Sequence, residues 1–400
     1  MKYLLRKKKI TAICFLIFLA VFSIGNAVKE LGKVTDTLKS ETISVTSLGD
    51  TISKVESSIN ENMLGRYHFI EAFGYVQKLL DKNEINNFEV VKDQQGKLHY
   101  TYFTDKINDT TDLAGRMSNL QKRIKDKNCK LLYVMPPDKY IDGYTKFPTG
   151  IPYSMANQTA DSFLKKLKAA GIDSIDFRNY LKESGIKMQD VFFNTDHHWK
   201  IQTAFWASSV FFEQLEKRYG EKIEKESYYS DLKNYNQITY ANSFLGSMGR
   251  KIGRYYAGAD DFTLIYPKFA TNYQFDLHVG KGMKLTGRFE EALLATPVTR
   301  QTENPFDTDM YMTYMYGNQD FAHIQNKDNK GKGLNICIIK DSFAVPFAAF
   351  SSLRCDNVYL IDPRYYSKSI EKFINQTDLD YVIVMFSPQD LVDEFFTFGK

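Results

Sequence analysis

The sequence predicts an α/β protein: a parallel sheet flanked by helices, carried behind an N-terminal membrane anchor and a helical stalk. Three observations lead there. Short apolar runs alternate with segments of helical spacing through much of the chain. Those runs are apolar on successive residues rather than on every second one, which marks strands buried on both faces. One longer apolar stretch follows a cluster of positive charge at the start.

Lys2, Arg6, Lys7, Lys8 and Lys9 precede an apolar run from Ile10 to about Ala27, a positive region before a hydrophobic one. The run is about eighteen residues, at the short end of the ~20 that span a membrane. Residues 1–27 therefore read as a signal anchor, or as a signal peptide cleaved after Ala27. Both put the rest of the chain outside the cytoplasm, held to the membrane through residues 10–27 if the anchor stays.

Residues 28–63 read as a helical stalk. Leu31, Leu38, Val45, Ile52 and Ile59 recur every seven residues, with Val34, Leu48 and Val55 between them. Glu41 and Asn62 break the pattern, and Gly32 and Gly49 weaken it. Such a stalk either pairs chains as a coiled coil or packs as one amphipathic helix on its own domain.

A globular domain is expected over residues 64–400, helical at its start. Residues 130–135 (KLLYVM) form an apolar run stopped by Pro136 and Pro137, hence a buried strand. Residues 156–170 have helical spacing and 172–177 read as a second strand. Residues 191–193 are strand-like and 201–215 form an amphipathic helix. Three further buried strands fall at 335–339, 358–361 and 381–386, with crossover helices at 344–353 and 367–375 between them. Residues from about 225 to 330 are rich in Tyr, Phe, Gly and Asn. They fit this alternation poorly and read as insertions beside the sheet.

Composition narrows the function classes. The 400 residues are 43% hydrophobic, which excludes global disorder. A mean hydropathy of −0.37 leaves room for one membrane run and excludes a multi-pass protein. The net charge is +4, and removing the five N-terminal cations leaves −1, so nothing points to nucleic acid. Four Cys without zinc-like spacing exclude a disulfide scaffold and read as small apolar residues.

Two segments carry candidate chemistry. In Asn194-Thr195-Asp196-His197-His198-Trp199, Asp196 lies two residues before His198, close enough for its carboxylate to hold the near ring nitrogen. The far nitrogen is then left as a base. The plainer reading is that Asp196 caps the following helix. In Lys340-Asp341-Ser342-Phe343 an apolar strand runs into Ser342 just before a helix, at the carboxyl end of a sheet. There, backbone N–H groups are available for an oxyanion; the plainer reading is a helix cap. Serine needs a base to become a nucleophile. The two segments together supply Ser342, His198 and Asp196. A metal site is disfavoured, because adjacent His197 and His198 point to different sides of a local backbone and lack zinc-hydrolase spacing.

On these residues the chain resembles the DHHW family of exported proteins, which are similar to the SGNH-hydrolase-like O-acetyltransferases of alginate and other exopolysaccharides. The segments Phe244–Gly249, Tyr256–Phe262 and Met135–Lys139 are similar to that family as well, so the resemblance covers roughly residues 60–400. It implies Ser342 as nucleophile, His198 as base and Asp196 as its orienting partner. The Asp-x-His element comes before the Ser element, as in the polysaccharide acetyltransferases. Lys340 stands where related enzymes often have Gly, and the separate Gly and Asn blocks of SGNH esterases have no match. Arg364 and Tyr365, after the strand that follows Ser342, are expected to contact substrate, together with Trp199 and Lys139. Tyr316, Gly317 and Asn318 are weaker candidates.

The resemblance implies transfer of an acetyl group, without a cofactor, to a polysaccharide or cell-envelope glycan. It also implies a membrane-bound O-acyltransferase partner as acetyl donor. A carbohydrate acetylesterase with the same triad, and a non-catalytic glycan-binding scaffold, are the alternatives.

Overall fold

The structure is a computed structural model. It describes residues 2–40, 56, 59–60, 63–102, 104, 106–126, 128–151, 154–223, 225–277, 282–299 and 305–400. The chain divides into two units, Met1–Val76 and Gln77–Lys400.

The first unit holds α1 (Lys2–Ser40) and most of α2 (Arg66–Leu79). The window Leu5–Lys29 has a mean hydropathy of 2.3, none of it buried, and is long and apolar enough to cross a membrane. The helix continues past Ala27 to Ser40, into the stretch expected as a helical stalk. Of the expected stalk heptads, Val45, Leu48, Ile52 and Val55 lie outside the described residues.

The second unit opens with a small antiparallel sheet, β1 (Glu84–Ile85), β2 (Val90–Lys92) and β3 (Leu98–Tyr100). Then come α3 (Thr111–Arg123), β4 (Lys130–Met135), α4 (Ala156–Ala169), β5 (Asp173–Asp176) and α5 (Ile201–Tyr219). The hairpin β6 (Tyr235–Phe244) and β7 (Asp260–Pro267) encloses the short helix α6 (Ser247–Ile252). β8 (Tyr273–Leu277), β9 (Met283–Gly287) and β10 (Phe321–Asn326) follow. The chain ends with β11 (Leu334–Lys340), α7 (Ala344–Ser351), β12 (Cys355–Ile361), α8 (Ile370–Gln376) and β13 (Tyr381–Met385).

The main sheet has eight strands in the order β5-β4-β13-β11-β12-β10-β8-β9. The first five are parallel, as their apolar runs predicted. The last three are antiparallel, so part of the 225–330 region extends the sheet instead of lying beside it. β8 buries every second residue, an alternation unlike the continuous runs of the parallel strands. Residues 191–193 are not a strand; an isolated bridge between Phe192 and Trp199 closes a tight loop there.

Successive residues of the parallel strands serve two cores. Leu132, Val134, Ile336, Ile338, Ile383 and Met385 pack with Ala204, Phe211 and Leu215 of α5 and Phe347 of α7. Tyr133, Met135, Cys337, Ile339, Val382 and Val384 pack with Met117 of α3, Phe163 of α4 and Ile374 of α8. Helices thus cover both faces, the arrangement a parallel sheet requires. The register sets Lys340 beside Met385, Met385 beside Val134 and Ile339 beside Ile361. The segments leaving β4, β11, β12 and β13 therefore meet along one carboxyl edge, where open α/β sheets bind ligands.

Candidate active site

Ser342 leaves that edge in the turn between β11 and α7. The turn is shaped by Asp341, whose Oδ1 accepts the Phe343 N–H at 2.8 Å and whose Oδ2 accepts the Ser387 N–H at 2.6 Å. Burial, then the neighbouring Asp390, holds the Asp341 carboxyl well above its usual range.

Ser342 Oγ lies 2.6 Å from His198 Nε2. His198 Nδ1 lies 2.5 Å from Asp196 Oδ1, which also accepts the His198 backbone N–H at 2.9 Å. Asp196 Oδ2 accepts the Ser247 N–H at 2.7 Å. Burial alone would raise the Asp196 pKa. The adjacent imidazoles of His198 and His197 when protonated, the His198 hydrogen bond and the Ser247 N–H outweigh it and hold the carboxyl well below its usual range. An ionised Asp196 keeps the imidazole proton on Nδ1, so Nε2 accepts from the Ser342 hydroxyl. The structure thus brings together the three residues that the sequence selected.

The loop carrying Asp196 and His198 is braced from three sides. Asp260 Oδ1 accepts the Asn194 N–H at 2.6 Å, and its Oδ2 accepts both the Thr195 N–H and hydroxyl at 2.7 Å. The Gly246 N–H donates to Thr195 Oγ1 at 2.8 Å. A Cβ on Gly246 would stand 2.6 Å from Asp196 Cα, so the approach requires glycine. Lys139 Nζ donates to the carbonyls of Asn194 at 2.9 Å and Asp196 at 2.6 Å. Each of the three outlying similar segments, 135–139, 244–249 and 256–262, therefore supplies a brace to this loop.

Two expected substrate contacts are buried. Lys139 is 7% exposed and its ammonium is occupied by backbone carbonyls; burial lowers its pKa to about 7. Trp199 is fully buried, 5.5 Å edge-on from Phe343, and supports the Ser342 turn from below.

Arg364 stands after β12, the strand beside β11. Its Nε and Nη2 fork onto Asp362 at 3.0 and 2.7 Å, and its guanidinium lies 4.5 Å over the Phe395 ring. Asp362 is fully buried and also faces Lys340 Nζ at 3.4 Å. Asn318 donates to Asp362 at 2.7 Å and accepts from Lys340. Met315, Tyr316 and Gly317 all take left-handed conformations in the turn leading to Asn318. Tyr365 is exposed at the same edge.

Sequence reasoning missed Tyr311. Its ring is parallel to that of His198, 3.9 Å between centroids, and its hydroxyl donates to the Ser342 carbonyl at 3.2 Å. No local pattern marks it, because its stack on His198 joins segments more than a hundred residues apart. Asp196, His197 and His198 each offer a metal-ligand atom within 4.8 Å of the others. Both His198 nitrogens already have partners in Asp196 and Ser342, which does not fit a ligand set.

Fold and sheet-edge geometry define an SGNH-like α/β protein. Residues 101–239 match the family described as the SGNH hydrolase-like domain of the acetyltransferase AlgX. The fold is similar to PatB1 of Bacillus cereus solved with a sulfonyl adduct: 20% identity, 78% of this chain and 97% of that chain covered, TM-score 0.61. It is also similar to a DHHW family protein from Eubacterium siraeum: 18% identity, 77% and 92% covered, TM-score 0.56. No curated protein matches the chain.

Proposed function

We propose that the chain is an extracytoplasmic O-acetyltransferase acting on a polysaccharide or cell-envelope glycan. The observation that carries this is the unbroken path Ser342–His198–Asp196, with contacts of 2.6 and 2.5 Å. His198 removes the Ser342 proton as Oγ attacks the acetyl carbonyl of the donor. The donor's leaving group departs with a proton from His198, and an acetyl-enzyme remains. A sugar hydroxyl then attacks that ester, giving its proton to His198. The Ser342 oxygen is released and reprotonated. The Phe343 N–H is held by Asp341, so the Ser342 N–H is assigned to the oxyanion. Arg364 and Tyr365 are assigned to substrate from the neighbouring strand end.

The apolar helix α1 is read as a single-pass membrane anchor, and the acetyl donor as a membrane-bound O-acyltransferase. The match of residues 101–239 to an acetyltransferase domain supports transfer over hydrolysis. The test is turnover of an activated acetyl ester with and without oligosaccharide, in the wild type and in Ser342→Ala. Acetylated sugar from the wild type alone supports the reading. Acetate release that ignores the acceptor supports an esterase, and turnover that survives Ser342→Ala defeats both.

A further inference from the structure

Apart from Tyr311, buried against His198, the aromatic side chains that line the open surface beside the triad do not come from the Tyr-rich 225–330 region. Tyr235, Tyr273 and Tyr314 of that region are buried in the core. Tyr100 instead ends β3, Tyr102 follows it, and Tyr140 and Phe147 lie in the segment after β4. With His197 and Gln389 they line a shallow surface cleft. Tyr140 and Gln389 follow β4 and β13, and β13 lies directly beside β11. The cleft therefore flanks Ser342 on the side away from β12 and Arg364.

The cleft borders the proposed base through His197. The Tyr100 ring is 5.9 Å from the His197 ring, which is 3.8 Å from that of His198. Phe147 packs at 5.5 Å on Tyr140 and at 5.1 Å edge-on against His99, giving one apolar wall. The phenols of Tyr100 and Tyr102 stay neutral. Burial pushes both pKa values up, and the carboxylates of Asp390 and Asp138 push Tyr102 further. His197 is neutral as well, lowered to about 3 by burial and then by His198. Lys139 at the floor is occupied by the Asn194 and Asp196 carbonyls.

These walls offer flat apolar faces and neutral hydroxyls. A pyranose ring matches them, with an apolar C–H face and a rim of hydroxyls. An anionic sugar does not, since Lys139 in the lining is held by the Asn194 and Asp196 carbonyls and Lys251, over the Tyr100 ring, is paired with Glu89. We infer that the Tyr100–Tyr102 cleft is the subsite for an uncharged pyranose of the acceptor, holding it so that one hydroxyl reaches His198. This rests on the acyl-transfer reading above. In the step it serves, the acceptor O–H proton passes to His198 Nε2 and the oxygen bonds the acetyl carbon. The carbon–Ser342 Oγ bond breaks, and Oγ recovers the proton.

The test measures binding of cellotetraose, chitotetraose and tetragalacturonate to full-length Ser342→Ala protein by ligand-observed NMR. The same titrations are run with Tyr102→Ala added, and with Tyr228→Ala added as a control. Tyr228 stands by the amino ends of β11 and β12, at the opposite edge of the sheet. A neutral tetrasaccharide is expected to bind, at least tenfold tighter than the uronate. Tyr102→Ala is expected to weaken it about tenfold or more, and Tyr228→Ala to leave it unchanged. Should Tyr102→Ala not fold, Tyr102→Leu, which keeps apolar volume and deletes the ring, is read the same way. No binding, an unchanged affinity in the Tyr102 variant, equal loss in the control, or preference for the uronate overturns the inference. Ester turnover by Ser342→Ala separates the two claims: if it survives, the acyl-transfer reading falls; if it is abolished and Tyr102 is silent, only the subsite falls.

Discussion

The imidazole of His198 and the phenol ring of Tyr311 lie 3.9 Å apart and 9° from parallel. The same phenol donates to the Ser342 carbonyl at 3.2 Å. One buried side chain therefore fixes the plane of the proposed base and the backbone of the proposed nucleophile.

Tyr311 is a positioning residue and its two contacts separate by substitution. Tyr311→Phe keeps the stack and loses one hydrogen bond, so kcat on an acetyl ester should fall about two- to tenfold. Tyr311→Leu loses the stack, and kcat should fall about a hundredfold with KM little changed. A thermal melt checks that the Leu variant is folded. Equal kcat for Leu and Phe variants would remove the stack from the account.

Gly246→Ala should be disruptive although it adds one methyl group. The new Cβ meets the Asp196 backbone, which cannot swing aside as a flexible side chain would. A loss of roughly 1–3 kcal/mol in denaturant unfolding is expected, with a fall in activity as Asp196 is displaced. A variant with wild-type stability and rate would show that the loop tolerates the shift.

How far the sequence reached depends on the range of the signal. Four of the five parallel strands were legible because each carries consecutive apolar residues, a local pattern; β5, Asp-Ser-Ile-Asp, showed only through its apolar flanks Ile172 and Phe177. β8, β9 and β10 were not, because half-buried alternation in a Tyr- and Asn-rich region resembles loop composition. Asp196, His198 and Ser342 stood out as polar residues between apolar elements. Arg364 and Asn318 were named as lone candidates, whereas the structure joins them through Asp362. Lys139 and Trp199 were named for substrate and are buried, Lys139 on the Asn194 and Asp196 carbonyls, since sequence does not reveal which way a side chain faces. Tyr311 left no local trace.

Asp138 gives a pH-dependent prediction. Burial raises its pKa from 3.8 to about 6. Between those values the folded protein holds a proton that the unfolded chain releases. Its favourable contribution is thus complete below pH ~4 and lost as pH rises through about 6. Asp138→Asn removes that loss. Relative to wild type, the variant should gain up to about 3 kcal/mol in unfolding free energy between pH 4 and pH 7.5. Urea melts at both pH values check it; a constant difference, or one of opposite sign, contradicts it.

Asp362 holds two cations, Lys340 at 3.4 Å and Arg364 at 2.7 Å, and is itself fully buried. Asp362→Asn keeps the shape and leaves Lys340 without its counter-charge. A loss of about 3 kcal/mol is expected by chemical denaturation. An unchanged midpoint would mean that Lys340 loses its proton at little cost.

The central claim is that Ser342 carries the acetyl group. The direct measurement is intact-protein and peptide mass spectrometry after rapid mixing with an activated acetyl ester. One acetyl group on Ser342 is predicted, absent in Ser342→Ala, slow to form in His198→Ala, and discharged when a neutral oligosaccharide is added. Turnover without any acetyl on Ser342, or the same acetylation in Ser342→Ala, would contradict the account.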